Sequence, residues 1–370
     1  MKKVLMILYG NLEKDQRVLK EKTSLEKAGF NVDVVSLSLV DTPDNPYSIF
    51  PQNRTGFSYY NFIWKSCEQI ISSMQPYDVY HAHDLPTLKS AHFATRKHGG
   101  KIVFDTHEYF PYMARYNKKF FQRNYWLLFQ KRWVRNISGF ITVNESLGAE
   151  LKTQIKNLPD PVIIYNCPYH DEIPKSNLLR EKLGLDHSKI LLLYEGYLMK
   201  GRGLEILIES MKILPENYHL VFLADGEEKD ELKRLSSQHD IDKRIHFHEM
   251  IPNEMLLEYM TGADLGLFSY PDNCLNHHYS LPNKVFEYMH AKLPQVATDL
   301  PEIRKLFQKH NVGMTFMNGD VKSLANSIRE ICENREILER MKNNTRDTCI
   351  QFSWQEQDKK LIRLYEDLLG

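Results

Sequence analysis

The stretch KILLLYEGYLMKGRGLEILIESM, residues 189–211, decides the fold of this chain. An apolar run that ends at Glu195 and Gly196 predicts a buried β-strand, and the glycines that follow predict a tight turn. A helical pattern then runs from about Gly203 to Leu214. A strand, a turn and a helix in this order form the repeating unit of α/β domains with a parallel sheet.

The same alternation runs along the whole chain. In the first half, strands are predicted at KKVLMILYG, NVDVVSLS, VYHAHD, KIVFDTHE, GFITVNES and VIIYNC. A proline-rich segment follows, and the pattern restarts with KILLLYEG, HLVFLADG, RIHFHEM, DLGLFSY and PQVATD, after which only helices are predicted. Because 370 residues exceed one ordinary core, we predict two successive α/β units, joined near residues 165–175.

The composition predicts a soluble globular protein, with 42% hydrophobic and 26% charged residues. No apolar run approaches the roughly 18 residues that a membrane span requires. The start, MKKVLMILYGNLEKD, is interpreted as a first strand and not as a signal peptide. The five cysteines are scattered without a C-x-x-C pair, which argues against a disulfide framework and a zinc site. We therefore expect a cytoplasmic protein.

The net charge of the chain is zero, but its first half is basic. Residues 1–170 hold 22 Lys and Arg against 15 Asp and Glu, and no acid occurs between Glu108 and Glu145. Apolar residues at helical spacing in this interval predict a buried stripe, formed by Trp126, Phe129, Trp133 and Ile137.

Other residues of the acid-free interval are harder to bury, namely Lys118, Lys119, Phe120, Phe121 and Arg123. Basic and aromatic side chains at a helix end are typical of peripheral docking on an anionic membrane surface. A solvated face is the alternative. A nucleic-acid partner is not expected, because no recognition module accompanies the patch.

In open parallel sheets, ligands bind at the carboxyl ends of the strands. Lys200 and Arg202 follow one such end, at the predicted start of a helix. Backbone N–H groups at a helix start carry partial positive charge, and a Lys and an Arg beside them would clamp a diphosphate. The alternative is an ordinary tight turn with solvated basic residues.

A second helix start lies in SLPNKVFEYM, residues 280–289. Ser280 is predicted to cap the helix and Pro282 to occupy its first turn. Lys284 and the first N–H groups could face a phosphate, and Glu287 could accept hydrogen bonds from the vicinal hydroxyls of a ribose. The alternative is a first-turn glutamate favoured by the helix dipole. Apolar neighbours argue that Glu287 is not simply solvated.

These motifs, in this order, resemble a retaining glycosyltransferase of glycosyltransferase family 4 (glycosyl transferases group 1). The matching stretches are GNLEKDQRVLKEKTSLEKAGFNVDVVS, FDTHEYFP, ITVNESL, VIIYNCP, YEGYLMKGRGLEILIESM, SLPNKVFEYMHAKLPQVATDLPEI and FSWQEQDKKLIRLYEDLL. The resemblance implies the GT-B fold, with two Rossmann-like domains facing across a cleft. It assigns residues 1–168 to acceptor binding, with a final helix of about 354–370 crossing back, and residues 172–352 to donor binding.

The resemblance also assigns roles. Arg202, with Lys200 nearby, would stabilise the leaving diphosphate, and Glu287 would hold the donor ribose. His107 would lie near the transferred sugar. Further donor-site residues are implied by the matching motifs: Gly10, Gly203, Ser280, Leu281, Pro282, Asn283 and Lys284. The implied reaction is a front-face attack in which the donor phosphate helps to take the acceptor proton, and it requires no metal cofactor.

The sequence departs from the family pattern at one position. Tyr279 stands where the family has the first glutamate of its E-x7-E motif, which leaves Tyr279, Asn276, His277 or His278 to select the sugar. His81 and His83 have the side chains of metal ligands, but the sequence offers no convincing third partner.

The expected partners are a UDP- or GDP-sugar and a glycan or lipid-linked acceptor, such as a precursor of a capsule, an exopolysaccharide or a lipopolysaccharide. A nucleotide-sugar 2-epimerase, a glycan phosphorylase and a non-catalytic nucleotide-binding scaffold are the alternatives. A dinucleotide dehydrogenase is not expected, because no G-x-G-x-x-G follows the first strand.

Overall fold

The computed structural model describes residues 1–38, 45–51 and 55–370. It divides the chain into two compact units, the first formed by Met1–Asn166 with Trp354–Gly370 and the second by Cys167–Ser353. Each unit contains one parallel sheet with helices, which confirms the α/β class.

The first unit is built on seven parallel strands in the order β3-β2-β1-β4-β5-β6-β7. These strands are β1 (Lys3–Asn11), β2 (Asn31–Leu37), β3 (Ser48–Ile49), β4 (Val79–His83), β5 (Lys101–Thr106), β6 (Gly139–Thr142) and β7 (Val162–Ile163). The helices that follow them are α1 (Gln16–Lys27), α2 (Gly56–Ser73), α3 (Leu88–His98), α4 (Phe120–Trp133) and α5 (Glu145–Gln154).

The second unit has six strands in the order β10-β9-β8-β11-β12-β13, and every ladder is parallel. Its strands are β8 (Ile190–Glu195), β9 (Tyr218–Leu223), β10 (Ile245–His248), β11 (Leu265–Phe268), β12 (Gln295–Thr298) and β13 (Gly313–Phe316). Its helices are α6 (Leu178–Leu183), α7 (Glu205–Met211), α8 (Lys229–Gln238), α9 (Asn253–Met260), α10 (Leu275–His278), α11 (Asn283–His290), α12 (Pro301–His310), α13 (Val321–Glu333) and α14 (Arg335–Cys349).

The last helix, α15 (Trp354–Leu369), packs with the first unit. Trp354, Leu361 and Tyr365 are fully buried in the same core as strands β1, β2 and β4. The indole N–H of Trp354 donates to Ser24 Oγ at 3.0 Å, so α15 is also held by a buried polar contact with α1.

Two predictions of secondary structure were wrong in detail. Helix α7 spans Glu205–Met211 and is shorter than the predicted 203–214. Strand β13 was missed because GMTF is short and its two middle residues are only half-buried, so it lacks the apolar signal of a central strand. The chain after PQVATD is therefore not helical throughout.

The polar residues that end the strands lie at one edge of each sheet, because the strands of each sheet are parallel. In the first unit this edge carries Asp84, Asp105 and His107, and in the second it carries Glu195 and Gly196. Each unit therefore gathers its chemically active side chains at the edge where such sheets bind ligands.

Candidate active site

A buried ion pair underlies the ligand edge of the first unit. Arg17, on α1, donates from Nε and Nη2 to the two carboxylate oxygens of Asp105 at 2.9 Å each, and from Nη1 to the carbonyl of Ile164 at 2.8 Å. Glu21, one turn further along α1, places Oε1 3.0 Å from Arg17 Nε. Burial raises the pKa of Asp105, but the positive charges of Arg17 and His107 outweigh it and hold that pKa well below its usual range.

His107 lies above this ion pair and faces two carboxylates. Its Nε2 donates to Asp105 Oδ2 at 2.9 Å, and its Nδ1 is 3.6 Å from Asp84 Oδ2. Its backbone N–H donates to Asp84 Oδ1 at 2.9 Å. Burial alone lowers the pKa of His107, but Asp105 and Asp84 outweigh it and raise the pKa to about 10. His107 is therefore an imidazolium at neutral pH, with 17% of its side chain exposed.

The partners of His81 and His83 were not predicted from the sequence. Glu21 and Asp105 join these two histidines in a buried cluster whose donor atoms lie within 4.8 Å of one another. Their side chains suit a metal by type, but the charges do not. Arg17 and the His107 imidazolium already balance the charge of Asp105, whose Oδ2 accepts hydrogen bonds from both cations. Burial raises the pKa of Glu21 to about 8, so Glu21 is largely protonated at neutral pH. A divalent ion would add two uncompensated charges to a buried site.

A second group of donors lies in the other unit, where His170, His290 and Cys349 also come within 4.8 Å of one another. The Cys349 thiol donates to the carbonyl of Arg346 at 3.1 Å, and His290 Nε2 donates to the carbonyl of Phe352 at 3.1 Å. Burial raises the pKa of Cys349, which disfavours the thiolate that a metal binds. We interpret this group as a structural, hydrogen-bonded cluster.

Gly10 lies near the end of β1. A Cβ atom built there would meet only the Leu8 side chain, at an ordinary 3.4 Å. Packing among the described residues therefore does not require glycine at this position.

In the second unit, Lys284 of α11 points to the end of β8. Its ammonium is 3.6 Å from Glu195 Oε2 and 5.6 Å from the centre of the Tyr194 ring. Gly196, with φ 114°, leaves room for this ammonium, because a Cβ atom there would overlap Lys284 Nζ. Burial lowers the pKa of Lys284, but the negative charge of Glu195 is the largest of the opposing influences, and the net pKa is raised. A charged Lys284 is thus held at the strand end.

Arg202 and Glu287 act on the same Lys284 ammonium. Glu287 contributes to raising the pKa of Lys284 and Arg202 contributes to lowering it, so both side chains lie within electrostatic range of one buried charge. The Arg202 guanidinium lies 5.4 Å from the centre of the Tyr270 ring. The sequence-predicted clamp Arg202 and the predicted ribose-binding acid Glu287 thus both influence the charge of Lys284, and their joint role in one nucleotide site stays a prediction.

Helix α11 does not begin as predicted. Pro282 is its N-cap, no side chain caps the helix, and the first helical residue is the exposed Asn283. Ser280 lies two residues before the N-cap, and its hydroxyl donates to the carbonyl of His277 at 2.8 Å. Leu281 is buried. The first N–H groups of α11 therefore have no side-chain cap, which leaves them suited to an anion.

The turn before α7 holds the other predicted donor-site residues. Lys200 is exposed, and its backbone N–H donates to Glu227 Oε1 at 3.2 Å. Gly203 has φ 66°, and its carbonyl accepts a hydrogen bond from Ser269 Oγ at 2.7 Å. This turn therefore needs glycine at 203 for its backbone conformation.

The four candidates for sugar selection lie in the short helix α10 or directly after it. His277 is occupied structurally, because its Nδ1 donates to the carbonyl of Pro271 at 2.9 Å and its ring stacks on Tyr270 at 3.8 Å. His278 Nδ1 is 2.9 Å from Asp272 Oδ2, and the Tyr279 ring lies edge-on to the His278 ring at 5.1 Å. Asn276 is half-buried. The hydrogen bond and the ring stacking of His277 therefore disfavour it as a sugar ligand.

The start of α4 forms an exposed aromatic and basic surface. Phe120 and Phe121 are 61% and 86% exposed, and Lys118 and Lys119, which precede them, are exposed. Arg123 lies one turn on, half-buried, with its guanidinium 6.0 Å from the Phe120 ring.

In the predicted stripe, Trp126 and Phe129 are buried, but Ile137 lies beyond the end of the helix. Among the described residues, no helix is long and apolar enough to span a membrane.

Two family models match successive parts of the chain. Residues 17–167 match Glycosyltransferase Family 4, and residues 175–348 match Glycosyl transferases group 1. TuaC of Bacillus subtilis, named as a glycosyltransferase of teichuronic acid biosynthesis, is 25% identical over 65% of this chain, which spans 59% of that protein. EpsD of the same organism, also named as a glycosyltransferase, is 23% identical over 92% of this chain and 90% of its own.

Solved structures share the fold over the whole chain. Sucrose-phosphate synthase from Thermosynechococcus elongatus superposes with a TM-score of 0.80 at 16% identity, and covers 100% of this chain and 99% of its own. Anabaena HepE, in complex with UDP-glucose, superposes with a TM-score of 0.75 at 15% identity, and covers 99% and 100%. With both halves matched by glycosyltransferase models, the chain belongs to the group 1, family 4 type of GT-B glycosyltransferases.

Proposed function

We propose that the protein is a retaining glycosyltransferase that moves a sugar from a UDP- or GDP-sugar to a cell-envelope glycan or a lipid-linked acceptor. The observation that carries this proposal is the Lys284 ammonium, held 3.6 Å from Glu195 at the ligand edge of the second sheet, with Arg202 and Glu287 within electrostatic range of it. Two cations and an uncapped helix start suit a diphosphate, and an acid beside them suits the hydroxyls of a ribose.

In the proposed reaction, the second unit stabilises the departing nucleoside diphosphate. Arg202, Lys284 and the first N–H groups of α11 would oppose the negative charge that develops on the leaving phosphate oxygen, and fixed dipoles and charges of this kind are effective because they need no reorganisation. The acceptor oxygen bonds to the anomeric carbon on the face from which the phosphate departs, the bond between that carbon and the phosphate oxygen breaks, and the departing phosphate oxygen takes the acceptor's proton. The anomeric configuration is therefore retained, and we propose that no metal ion takes part.

His107 of the first unit would lie near the transferred sugar. Because both its ring nitrogens face carboxylates, it is a hydrogen-bond donor and a cation, and it does not act as a general base. Its fixed positive charge suits a position close to the anionic donor.

The names of similar proteins support the donor and acceptor classes. HepE is described in complex with UDP and with UDP-glucose, and Staphylococcus aureus TarM in complex with UDP. TuaC is named for teichuronic acid biosynthesis, and WaaG is described as involved in lipopolysaccharide biosynthesis. We accordingly propose an envelope polysaccharide precursor as the acceptor.

The exposed start of α4 supports a peripheral contact with the inner face of the cell membrane. Phe120 and Phe121 would enter the headgroup region, while Lys118, Lys119 and Arg123 would meet anionic lipids. A lipid-linked acceptor would then be presented on the surface to which the enzyme binds.

The decisive experiment for the proposed function is a turnover assay with a panel of UDP- and GDP-sugars, read by release of the nucleotide and by NMR of the product anomer. Glu287→Ala and Arg202→Ala should each reduce turnover by about a hundredfold or more, whereas Arg234→Ala, an exposed pair partner of Glu231, should not. An epimerase would instead interconvert nucleotide sugars, and a scaffold would release no nucleotide with any donor.

A further inference from the structure

Asp84 has a backbone conformation that its position in the fold does not explain. It follows β4 with φ 65° and ψ 161°, a region that only glycine adopts without strain. Five other described non-glycine residues have positive φ, but Asp84 is the one whose side chain contacts His107. Strained residues persist where the surrounding structure uses them, and they cluster at active sites.

The contacts of Asp84 show what its strained backbone achieves. Oδ1 accepts the backbone N–H of His107 at 2.9 Å, and Oδ2 lies 3.6 Å from His107 Nδ1. The backbone N–H of Asp84 donates to the carbonyl of Asp105 at 2.8 Å, which ties the strained residue to the strand that carries His107. One carboxylate thus fixes both the main chain and the ring of His107.

The carboxylates of Asp105 and Asp84 lie beside opposite ring nitrogens of His107. Asp105 contacts Nε2 and Asp84 contacts Nδ1, and a carboxylate only accepts. The hydrogen bond at Nε2 requires a hydrogen there, and the negative charge of Asp84 3.6 Å from Nδ1 favours a second one, so the charged ring is the favoured form. The other groups that face it are Arg17, Glu21 and His83; the His83 ring lies 5.6 Å away, and burial keeps its pKa low.

We propose that Asp84 is a positioning residue that keeps His107 as an oriented imidazolium for the transfer reaction. The inference rests on the proposed function, in which His107 lies near the donor sugar. Asp105 alone does not explain the arrangement, because Arg17 shares its charge and it contacts only one ring nitrogen. Asp84 supplies the second charge and also sets the direction of the ring.

The test uses the full chain with two variants of Asp84. Asp84→Asn keeps an oxygen for the His107 N–H but removes the charge. Asp84→Gly also relieves the strained backbone. The control is Asp160→Asn, which removes an exposed carboxylate of the same unit. His107 is followed in ligand-free protein labelled with [¹³Cε1]-histidine, and its signal is assigned by its loss in His107→Asn.

The wild-type His107 signal should show an imidazolium up to about pH 9, and its pKa should fall by about one unit in both Asp84 variants. Asp84→Gly should keep or raise the melting temperature while it alters His107, because glycine accepts this φ and ψ. If Asp84 had only a structural role, its variants would show a lower melting temperature and an unchanged titration of His107. That outcome overturns the proposal.

Turnover gives a second, separate measurement. With the nucleotide sugar that the wild type uses, both variants should lower kcat at least about tenfold, and the loss should deepen above pH 8 as the freed imidazole loses its proton. An unchanged pH profile also overturns the proposal. Because the NMR titration needs no donor, a failure to find any transferase activity would count against the proposed function and not against the role of Asp84.

Discussion

The ammonium of Lys284 lies 3.6 Å from the carboxylate of Glu195, and neither side chain is more than slightly exposed. Glu195 ends strand β8, and Lys284 reaches it from the first turn of α11. A buried cation is costly without a partner, so Glu195 keeps Lys284 charged and in place before any ligand binds. An arriving diphosphate would therefore meet a charge that is already oriented.

Gly196→Ala tests this preorganisation. A methyl group at this position would overlap Lys284 Nζ, so we expect the ammonium to move away from the strand end. The affinity for UDP and GDP should fall at least about tenfold, which corresponds to about 1.4 kcal/mol, and isothermal titration calorimetry would measure it. Gly319→Ala is the matched control, because Gly319 also has positive φ, at 76°, but has no neighbour within 4 Å of the added methyl group. Equal affinity losses in both variants would contradict the proposed role of Lys284.

The pair between Arg17 and Asp105 should dominate the stability of the first unit. Arg17→Ala leaves a buried carboxylate without its main partner, and we expect a loss of about 3–5 kcal/mol in the free energy of unfolding. Lys22→Ala, on the same helix, removes a surface pair with Glu26 and should cost at most about 0.5 kcal/mol. All four tryptophans lie in the first unit, so their fluorescence during urea unfolding reports this unit. Similar losses in the two variants would show that the ion pair is not central.

The raised pKa of His107 predicts a pH dependence of stability. The folded pKa is about 10, well above the ordinary value near 6.5, so the folded state holds a proton that the unfolded state releases. This stabilisation is complete below about pH 6.5 and is lost as the pH rises toward 10. The buried His81 and His83 have lowered pKa values and titrate below this window. Burial raises the pKa of Glu21 to about 8, so Glu21 also lowers the stability up to about pH 8, and only the difference between the wild type and His107→Asn reports His107.

The melting temperature followed by tryptophan fluorescence should therefore fall between pH 6.5 and 9.5. In His107→Asn this fall should be markedly smaller, because the titrating group is gone. A slope that is identical in the wild type and in His107→Asn would show that His107 is not held as an imidazolium.

The exposed phenylalanines of α4 predict lipid binding. Phe121→Ala should reduce sedimentation with vesicles of phosphatidylcholine and phosphatidylglycerol at least about threefold, because an aromatic ring is withdrawn from the interface. Met317→Ala, which removes a 62% exposed apolar side chain from the second unit, is the control. Binding that persists in pure phosphatidylcholine, or that is unaffected by Phe121→Ala, would remove the membrane proposal.

The sequence alone predicted the α/β class and the fold family, because strand and helix periodicities and the order of the motifs are local properties. It could not predict that Lys284 is paired with Glu195, since residues 89 positions apart come together only through the strand order.

Three other features could not be predicted from the sequence, for related reasons. The partners of His81 and His83 come from α1 and β5 and show no common spacing along the chain. The cap at Ser280 was misjudged because the helix begins later than its sequence suggests, with Pro282 as the N-cap. The positive φ of Asp84 is invisible in the letters HAHD, since no glycine marks it.

The central claim is that one nucleotide contacts both Arg202 and Glu287. The most direct measurement is calorimetric binding of UDP, UMP and 2′-deoxy-UDP to the wild type, Arg202→Ala and Glu287→Ala. The corresponding guanosine nucleotides are measured alongside. We predict that Arg202→Ala weakens diphosphate binding about ten- to a hundredfold but barely affects the monophosphate. Glu287→Ala should weaken the ribonucleotides and abolish the preference over the deoxynucleotide. Variants that bind all these ligands as the wild type does would contradict the account.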